Sequence, residues 1–80
     1  MKFSFELNKD VSAALQKIKN DIDHTGGKFN GNEKSGAFEG QGIKGSYNIN
    51  GKIVNITIVQ KPPLIKDDKI KSEIINYFGG

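Results

Sequence analysis

Two runs of alternating apolar and polar residues meet at Asn50-Gly51, and this arrangement constrains the fold more than any other feature of the chain. A period of two is typical of strands that bury one face. Asn-Gly is a strong hairpin signal, because both residues tolerate the positive φ angles of a type I′ turn. A two-residue loop there predicts that Tyr47 lies opposite Val54. The same register places Ile43 opposite Ile58 and keeps one face of the hairpin apolar.

A second tight turn is predicted at Gln41-Gly42, ahead of the same hairpin. It places Phe38 opposite Gly45 on the neighbouring strand. It also places Gly36 opposite Tyr47. A large aromatic ring can fill the gap that a cross-strand glycine leaves, and both pairs therefore favour this register.

The N-terminal part of the chain predicts a strand, a helix and a further short strand. Apolar and polar residues alternate over residues 3–7, which indicates a half-buried strand. Asn8 or Asp10 can cap the helix that follows, and Gly26-Gly27 can end it. A short strand over residues 28–30 then precedes a loop over residues 32–34. The helix is indicated by apolar residues at helical spacing, namely Val11, Ala14, Leu15, Ile18 and Ile22.

The segment after the sheet predicts a second helix. Pro62-Pro63 ends the last strand, because proline cannot donate to a ladder of hydrogen bonds. We expect Asp67 to cap the helix, and the pair Asp67-Asp68 suits the positive end of the helix dipole. Gly79-Gly80 is expected to follow the end of the helix. Its apolar face is formed by Ile70, Ile74, Tyr77 and Phe78, with Ile75 near the edge.

These elements predict an α+β fold with the order β-α-β-β-β-β-α. One antiparallel sheet, arranged as a meander, is expected to carry both helices on its apolar face. All 80 residues are expected to form one domain, 1–80, because so short a chain supports little more than one helix–sheet interface.

Composition argues against several classes of protein. The chain has no cysteine, which excludes disulfides, thiolate catalysis and sulfur-ligated zinc. The formal net charge is +3 and every basic residue is lysine, so the bidentate contacts that arginine makes with phosphate or guanine are missing. The N-terminal residues show no signal-peptide pattern, and no window is apolar enough to span a membrane. We therefore expect a cytoplasmic location.

The segment Gly40-Gln41-Gly42-Ile43-Lys44-Gly45 matches the nucleotide-binding pattern G-x-G-x-x-G. In a dinucleotide-binding fold the third glycine opens a helix whose N-terminus holds the pyrophosphate. Here a strand is predicted to follow, and turn chemistry explains the glycines. His24 and Asp67-Asp68 are interpreted as helix-end residues. No catalytic residue, metal site or cofactor site is predicted, and we expect the protein not to be an enzyme.

The second half of the chain carries a pattern of strand, turn, strand, proline pair and C-terminal helix. Its residues are Ile43–Tyr47, Val54–Ile58 and Lys61-Pro62-Pro63. This pattern resembles small uncharacterised bacterial α+β proteins and, more distantly, the polyhydroxyalkanoate-granule regulator family. The matching positions are mostly glycines and apolar strand residues, which transfer an architecture better than an activity. The resemblance implies a bacterial source and binding to an apolar surface or to a partner.

The residues alone do not name a function, and the first hypothesis is a small non-enzymatic binding module. An apolar groove between the sheet and the C-terminal helix would take a hydrophobic ligand or a protein partner. The same side chains could instead simply fill the core, which so small a domain needs. The residues expected to line the groove are Phe38, Tyr47, Ile56, Leu64, Ile74 and Phe78.

Two alternatives remain. Ile53 and Val59 on the polar face, with Leu64 and Ile65 beside the proline pair, suggest a homo-oligomer or a protein-interaction domain. A weak nucleic-acid binder is the other alternative, although no aromatic residue is predicted on the polar face to stack on a base. Its candidate contacts are Lys28, Lys34, Lys44, Lys52 and Lys61.

Overall fold

The structure, a computed structural model, describes residues 1–78. Its elements are β1 (Lys2–Glu6), α1 (Val11–His24), β2 (Lys28–Gly31), β3 (Ser35–Gly40), β4 (Ile43–Asn50), β5 (Ile53–Gln60) and α2 (Asp67–Tyr77). The strands form one antiparallel sheet in the order β1-β5-β4-β3-β2. The predicted α+β fold and element order are confirmed. Gly79-Gly80, predicted to follow α2, lies outside the described residues.

Helix α1 connects the two edges of the sheet, because β1 pairs with β5 at one edge and β2 pairs with β3 at the other. Of the two predicted N-caps, Asp10 is the one used: its carboxylate accepts a hydrogen bond from the Ala13 N–H at 3.3 Å. The chain leaves the helix through Gly26, whose φ of +81° lies in the left-handed region that glycine adopts without strain.

Both helices pack on the same face of the sheet, which we call the inner face. The other, outer face carries small polar side chains such as Asn48 and Asn55, whose amides share a hydrogen bond of 2.9 Å. Ile53 and Val59, predicted on this polar face, are 42% and 69% exposed. The core between the inner face and the helices is formed by Leu7, Ala14, Leu15, Ile18, Ile22, Tyr47, Val54, Ile56, Ile58, Ile70, Ile74 and Phe78.

The register of the β4–β5 hairpin differs from the prediction by two residues. Tyr47 lies opposite Ile56 rather than Val54, and Ile58 lies opposite Gly45 rather than Ile43. The turn consists of Gly51-Lys52, with Gly51 at φ +64°. Glycine thus takes the first central position of the turn, where a type II′ turn requires a positive φ. A shift of two residues leaves each side chain on its predicted face.

The predicted turn at Gln41-Gly42 and its register are confirmed. Phe38 lies opposite Gly45 and Gly36 lies opposite Tyr47. Gln41 and Gly42 have φ angles of +53° and +83°, as both central residues of a type I′ turn require. The position of a Cβ on Gly45 would lie 2.9 Å from the Phe38 ring, so the ring occupies the space that the glycine leaves.

The start of α2 differs from the prediction. Asp67 is the first residue of the helix and not its cap; the N-cap is Lys66, whose side chain makes no capping hydrogen bond. The Asp67 carboxylate contacts the Lys61 ammonium instead. Because Lys61 lies at the end of the sheet, this ion pair ties the first turn of α2 back to β5. Asp67 and Asp68 both lie in that first turn, next to the positive end of the helix dipole.

Candidate functional site

An apolar cavity of about 50 Å³ lies where α1, α2 and the β3–β4 hairpin meet, and we call it the apolar pit. Its apolar lining is buried or half-buried, whereas Thr25, Glu39 and Gln41 are exposed and belong to its rim. Half-buried Glu73 and Tyr77 complete the rim from α2. The apolar lining consists of Ile18, Ile22, Phe38, Ile43, Ile74 and Phe78.

Glycines allow α1 to approach the hairpin at this end of the sheet. A Cβ on Gly27 would clash with the carbonyl oxygen of Glu39 in β3 and would lie 3.2 Å from the Gly40 Cα, so only glycine allows so close an approach. Gly40 also lines the pit and adds no side chain to it. The pit is therefore the space between the C-terminal turns of both helices and the β3–β4 hairpin.

The volume of the pit limits what can enter it. Pockets for drug-sized ligands measure roughly 300–1,000 Å³, and an apolar cavity of about 150 Å³ holds benzene. At about 50 Å³, the pit has room for a few carbon atoms. The end of one aliphatic side chain, or the end of an alkyl chain, matches this size.

Half of the residues predicted to line an apolar groove line the pit. Phe38, Ile74 and Phe78 do so. Tyr47 and Ile56 are buried in the adjoining core. Leu64 lies elsewhere: it is 96% exposed on the loop between β5 and α2. Pro62 of the same loop lies beside the β3–β4 turn, where a Cβ on Gly42 would be 3.2 Å from its Cγ.

The sequence-based prediction omitted the contribution of α1. Ile18 and Ile22 form one side of the pit, on the same apolar face by which α1 packs on the sheet. Helical periodicity identified both residues as buried. The proximity of this helix to α2 depends on packing between elements far apart in the sequence, and no local pattern encodes it.

A polar shelf adjoins the pit and is formed by Lys17, Asp21, Gln41, Glu73, Asn76 and Tyr77. Lys17 and Asp21 form an ion pair of 3.6 Å one helical turn apart. Within residues 1–78, Glu73 takes part in no ion pair. The charges of the shelf therefore sum to one net negative charge, carried by Glu73 on the rim of the pit.

The lysines proposed as nucleic-acid contacts do not form a continuous basic surface with aromatic residues between them. Lys28 and Lys44 lie on either side of Glu39 in the strand register, and the Lys44 ammonium lies 3.7 Å from the Glu39 carboxylate. The strand aromatics belong to the core or pack against it, and ring contacts join Phe5 and Tyr47 to Phe78 and Phe29 to Tyr47. Among the described residues, none of the ring contacts lies on the outer face, where a base would need to stack.

The G-x-G-x-x-G segment forms the β3–β4 turn and the start of β4, so a strand follows the motif as predicted. His24 lies at the end of α1, where its Nδ1 is 2.7 Å from the Asn20 carbonyl oxygen. Because a carbonyl oxygen only accepts, this contact requires a proton on Nδ1. In the part of the chain that the structure describes, no group of three potential metal-ligating side chains occurs.

Comparison with known proteins identified no relative of this chain. No protein-family model, curated protein or solved structure matches the chain significantly. The resemblance to the polyhydroxyalkanoate-granule regulator family therefore stays a prediction. Neither helix of residues 1–78 has the length and hydrophobicity needed to cross a bilayer.

Proposed function

We propose that this protein is a non-enzymatic binding module that receives a small apolar group in the apolar pit. The observation that supports this function is the pit itself, an apolar cavity between two helices and a hairpin, bordered by a polar shelf. Apolar lining with a few polar groups at the edge is the usual composition of a binding site.

The size of the pit indicates what kind of partner uses it. Burying one leucine-sized side chain contributes about 1.5–3 kcal/mol, whereas even a millimolar dissociation constant requires about 4 kcal/mol. A free small molecule confined to the pit would therefore bind only weakly. A macromolecule that places one aliphatic side chain in the pit and contacts the polar shelf at the same time gains the additional energy it needs.

Titration with N-acetyl-leucinamide, followed by the isoleucine methyl signals in NMR spectra, tests this function. The methyl groups of Ile22, Ile43 and Ile74 line the pit and should shift in a saturable way at high millimolar probe concentration. The methyl group of Ile53, exposed on the outer face, should not shift. N-acetyl-alaninamide, with a shorter side chain, should produce smaller shifts at the same concentration.

A pair of matched variants completes the test. Ile43→Phe places a ring in the pit and should abolish the shifts of Ile22 and Ile74. Ile53→Phe makes the same change on the outer face and should leave them unaltered. Equal shifts at Ile53 and at the pit, or full shifts in the Ile43→Phe variant, would show that the probe binds elsewhere and would refute the proposed function.

A further inference from the structure

We infer that the side chain received by the apolar pit is Leu64 of a second copy of this chain, so that the protein associates with itself through this contact. The inference rests on the proposed function of the pit and names its partner. It combines an exposed apolar side chain, an apolar cavity of matching size and opposite charges beside each.

Leu64 is 96% exposed, whereas the other leucines are buried. It is held at the tip of a defined turn, in which the Ile65 N–H donates to the Pro62 carbonyl oxygen at 3.3 Å. Pro62 packs against Gly42, and Ile65 packs against the core. Proline at two positions fixes the backbone, so placing Leu64 in a partner costs little additional conformational entropy.

The charges beside Leu64 and the charges beside the pit are opposite in sign. Leu64 lies between Lys61 and Lys66, and Lys61 is already neutralised by its ion pair with Asp67. Within residues 1–78, neither Lys66 nor Glu73 belongs to an ion pair. Over residues 61–69 three lysines exceed two aspartates by one positive charge, whereas the polar shelf beside the pit carries one net negative charge, and this difference favours the approach of the two surfaces.

The positions of the two surfaces favour a closed dimer. Pro62 touches Gly42 of the β3–β4 turn, and Gln41 of the same turn lies on the rim of the pit. The Leu64 loop and the pit are therefore neighbours at one end of the sheet. When two complementary surfaces lie side by side, a twofold axis can pair each with its counterpart, and the assembly closes instead of growing.

Sedimentation velocity from micromolar to millimolar concentration tests the inference on the full chain. The wild-type protein should show a concentration-dependent shift from monomer to dimer. Leu64→Ser should raise the dissociation constant about tenfold or more, as loss of a buried leucine contact predicts. Ile53→Ser, which removes an exposed apolar side chain from the outer face, should leave it unchanged.

Charge reversal gives a second readout. Glu73→Lys and Lys66→Glu should each weaken the dimer, and the double variant should restore association toward the wild-type level. Glu33→Lys changes the net charge by the same amount as Glu73→Lys, on the β2–β3 loop, and should have no effect. Failure of the double variant to associate more strongly than either single variant would overturn the inference.

The outcomes separate this inference from the proposed function. A wild-type protein that stays monomeric at millimolar concentration overturns self-association, as does a dimer that Leu64→Ser leaves intact. In either case the methyl shifts with N-acetyl-leucinamide still decide whether the pit binds apolar groups. Binding of the monomer to vesicles of neutral lipid through Leu64 would assign the exposed leucine to a lipid surface, and would equally overturn the inference.

Discussion

Tyr47 lies directly across from Gly36, and its ring occupies the space where a side chain on Gly36 would be. A Cβ at that position would lie 2.6 Å from the ring atom Cε1. The hydroxyl group extends to the β2–β3 loop and donates to the Asn32 carbonyl oxygen at 2.7 Å. The ring also stacks on Phe29 and meets Phe78 edge to face, with centroids 5.7 and 6.0 Å apart. One side chain thus joins the sheet, a loop and α2.

Gly36→Ala should destabilise the protein by about 1–3 kcal/mol, because the added methyl group meets both the Tyr47 ring and the Asn30 carbonyl oxygen. Gly40→Ala is the matched control on the same strand. A Cβ there has its nearest neighbour at 3.6 Å, an ordinary contact. Urea unfolding measures both. Equal losses in the two variants would contradict the claim that contact with the Tyr47 ring and the Asn30 carbonyl oxygen determines the requirement for glycine at position 36.

Stability should fall at alkaline pH in a way that depends on Tyr47. Burial raises the pKa of the Tyr47 hydroxyl above its ordinary value of 10.0. Above that value the unfolded chain loses a proton that the folded protein keeps, so unfolding becomes more favourable as the pH rises toward the folded pKa. The contribution of Tyr47 to stability is therefore complete below the unfolded pKa and is lost as the pH rises through the folded pKa.

The Tyr47→Phe variant measures that contribution. Between about pH 8 and about pH 11, its free energy of unfolding should fall less than that of the wild type. The other titrating groups are common to both proteins and cancel in the comparison. Parallel pH profiles would mean that the hydroxyl group ionises equally easily in the folded and unfolded states.

The N-terminus of α1 should depend on Asp10 and not on Asn8. Asp10→Ala removes the acceptor for the Ala13 N–H and should cost about 1 kcal/mol, the usual value of an N-cap. Asp10→Asn should retain most of the stability, because the amide oxygen can accept the same hydrogen bond. Asn8→Ala should change the melting temperature little, and a larger loss there than at Asp10 would reverse the assignment of the cap.

Gln41→Asn should stabilise the protein by a few tenths of a kcal/mol. Gln41 has a φ of +53°, which asparagine adopts at lower cost than glutamine, and Asn-Gly is the preferred pair in a type I′ turn. Gln60→Asn makes the same change at the end of β5 and should not stabilise. Thermal unfolding compares the stability of the two variants. A destabilised Gln41→Asn protein would indicate that the glutamine side chain makes a stabilising contact of its own at the rim of the pit.

The sequence predicted most of the fold because its strongest patterns are local. The alternation within the strands and the helical spacing of α1 are patterns of residues close together in the chain. The same is true of Phe38 and Gly45, which pair across a tight turn. The error at the β4–β5 turn arose because Gly51 can occupy either central position of a two-residue turn. Both registers place the same residues on the inner face, so the alternation of apolar and polar residues does not distinguish one register from the other.

The candidate site was less predictable, because it depends on contacts between distant elements. Gly27 approaches β3 closely, and α1 and α2 line the same cavity, but neither contact can be predicted from the periodicity of the sequence. Leu64 was expected in the groove under the first hypothesis and at an exposed contact surface under the homo-oligomer alternative. It is exposed in a loop whose Pro62 lies beside Gly42, and this contact joins residues far apart in the chain.

Xenon enters dry apolar cavities without polar contacts, so it measures whether the apolar pit is open to small apolar groups. Isoleucine methyl spectra recorded under increasing xenon pressure should show saturable shifts for Ile22, Ile43 and Ile74, with Ile53 unchanged. If the signals of the pit methyl groups shift no more than that of Ile53, the pit is not accessible and the proposed function is refuted.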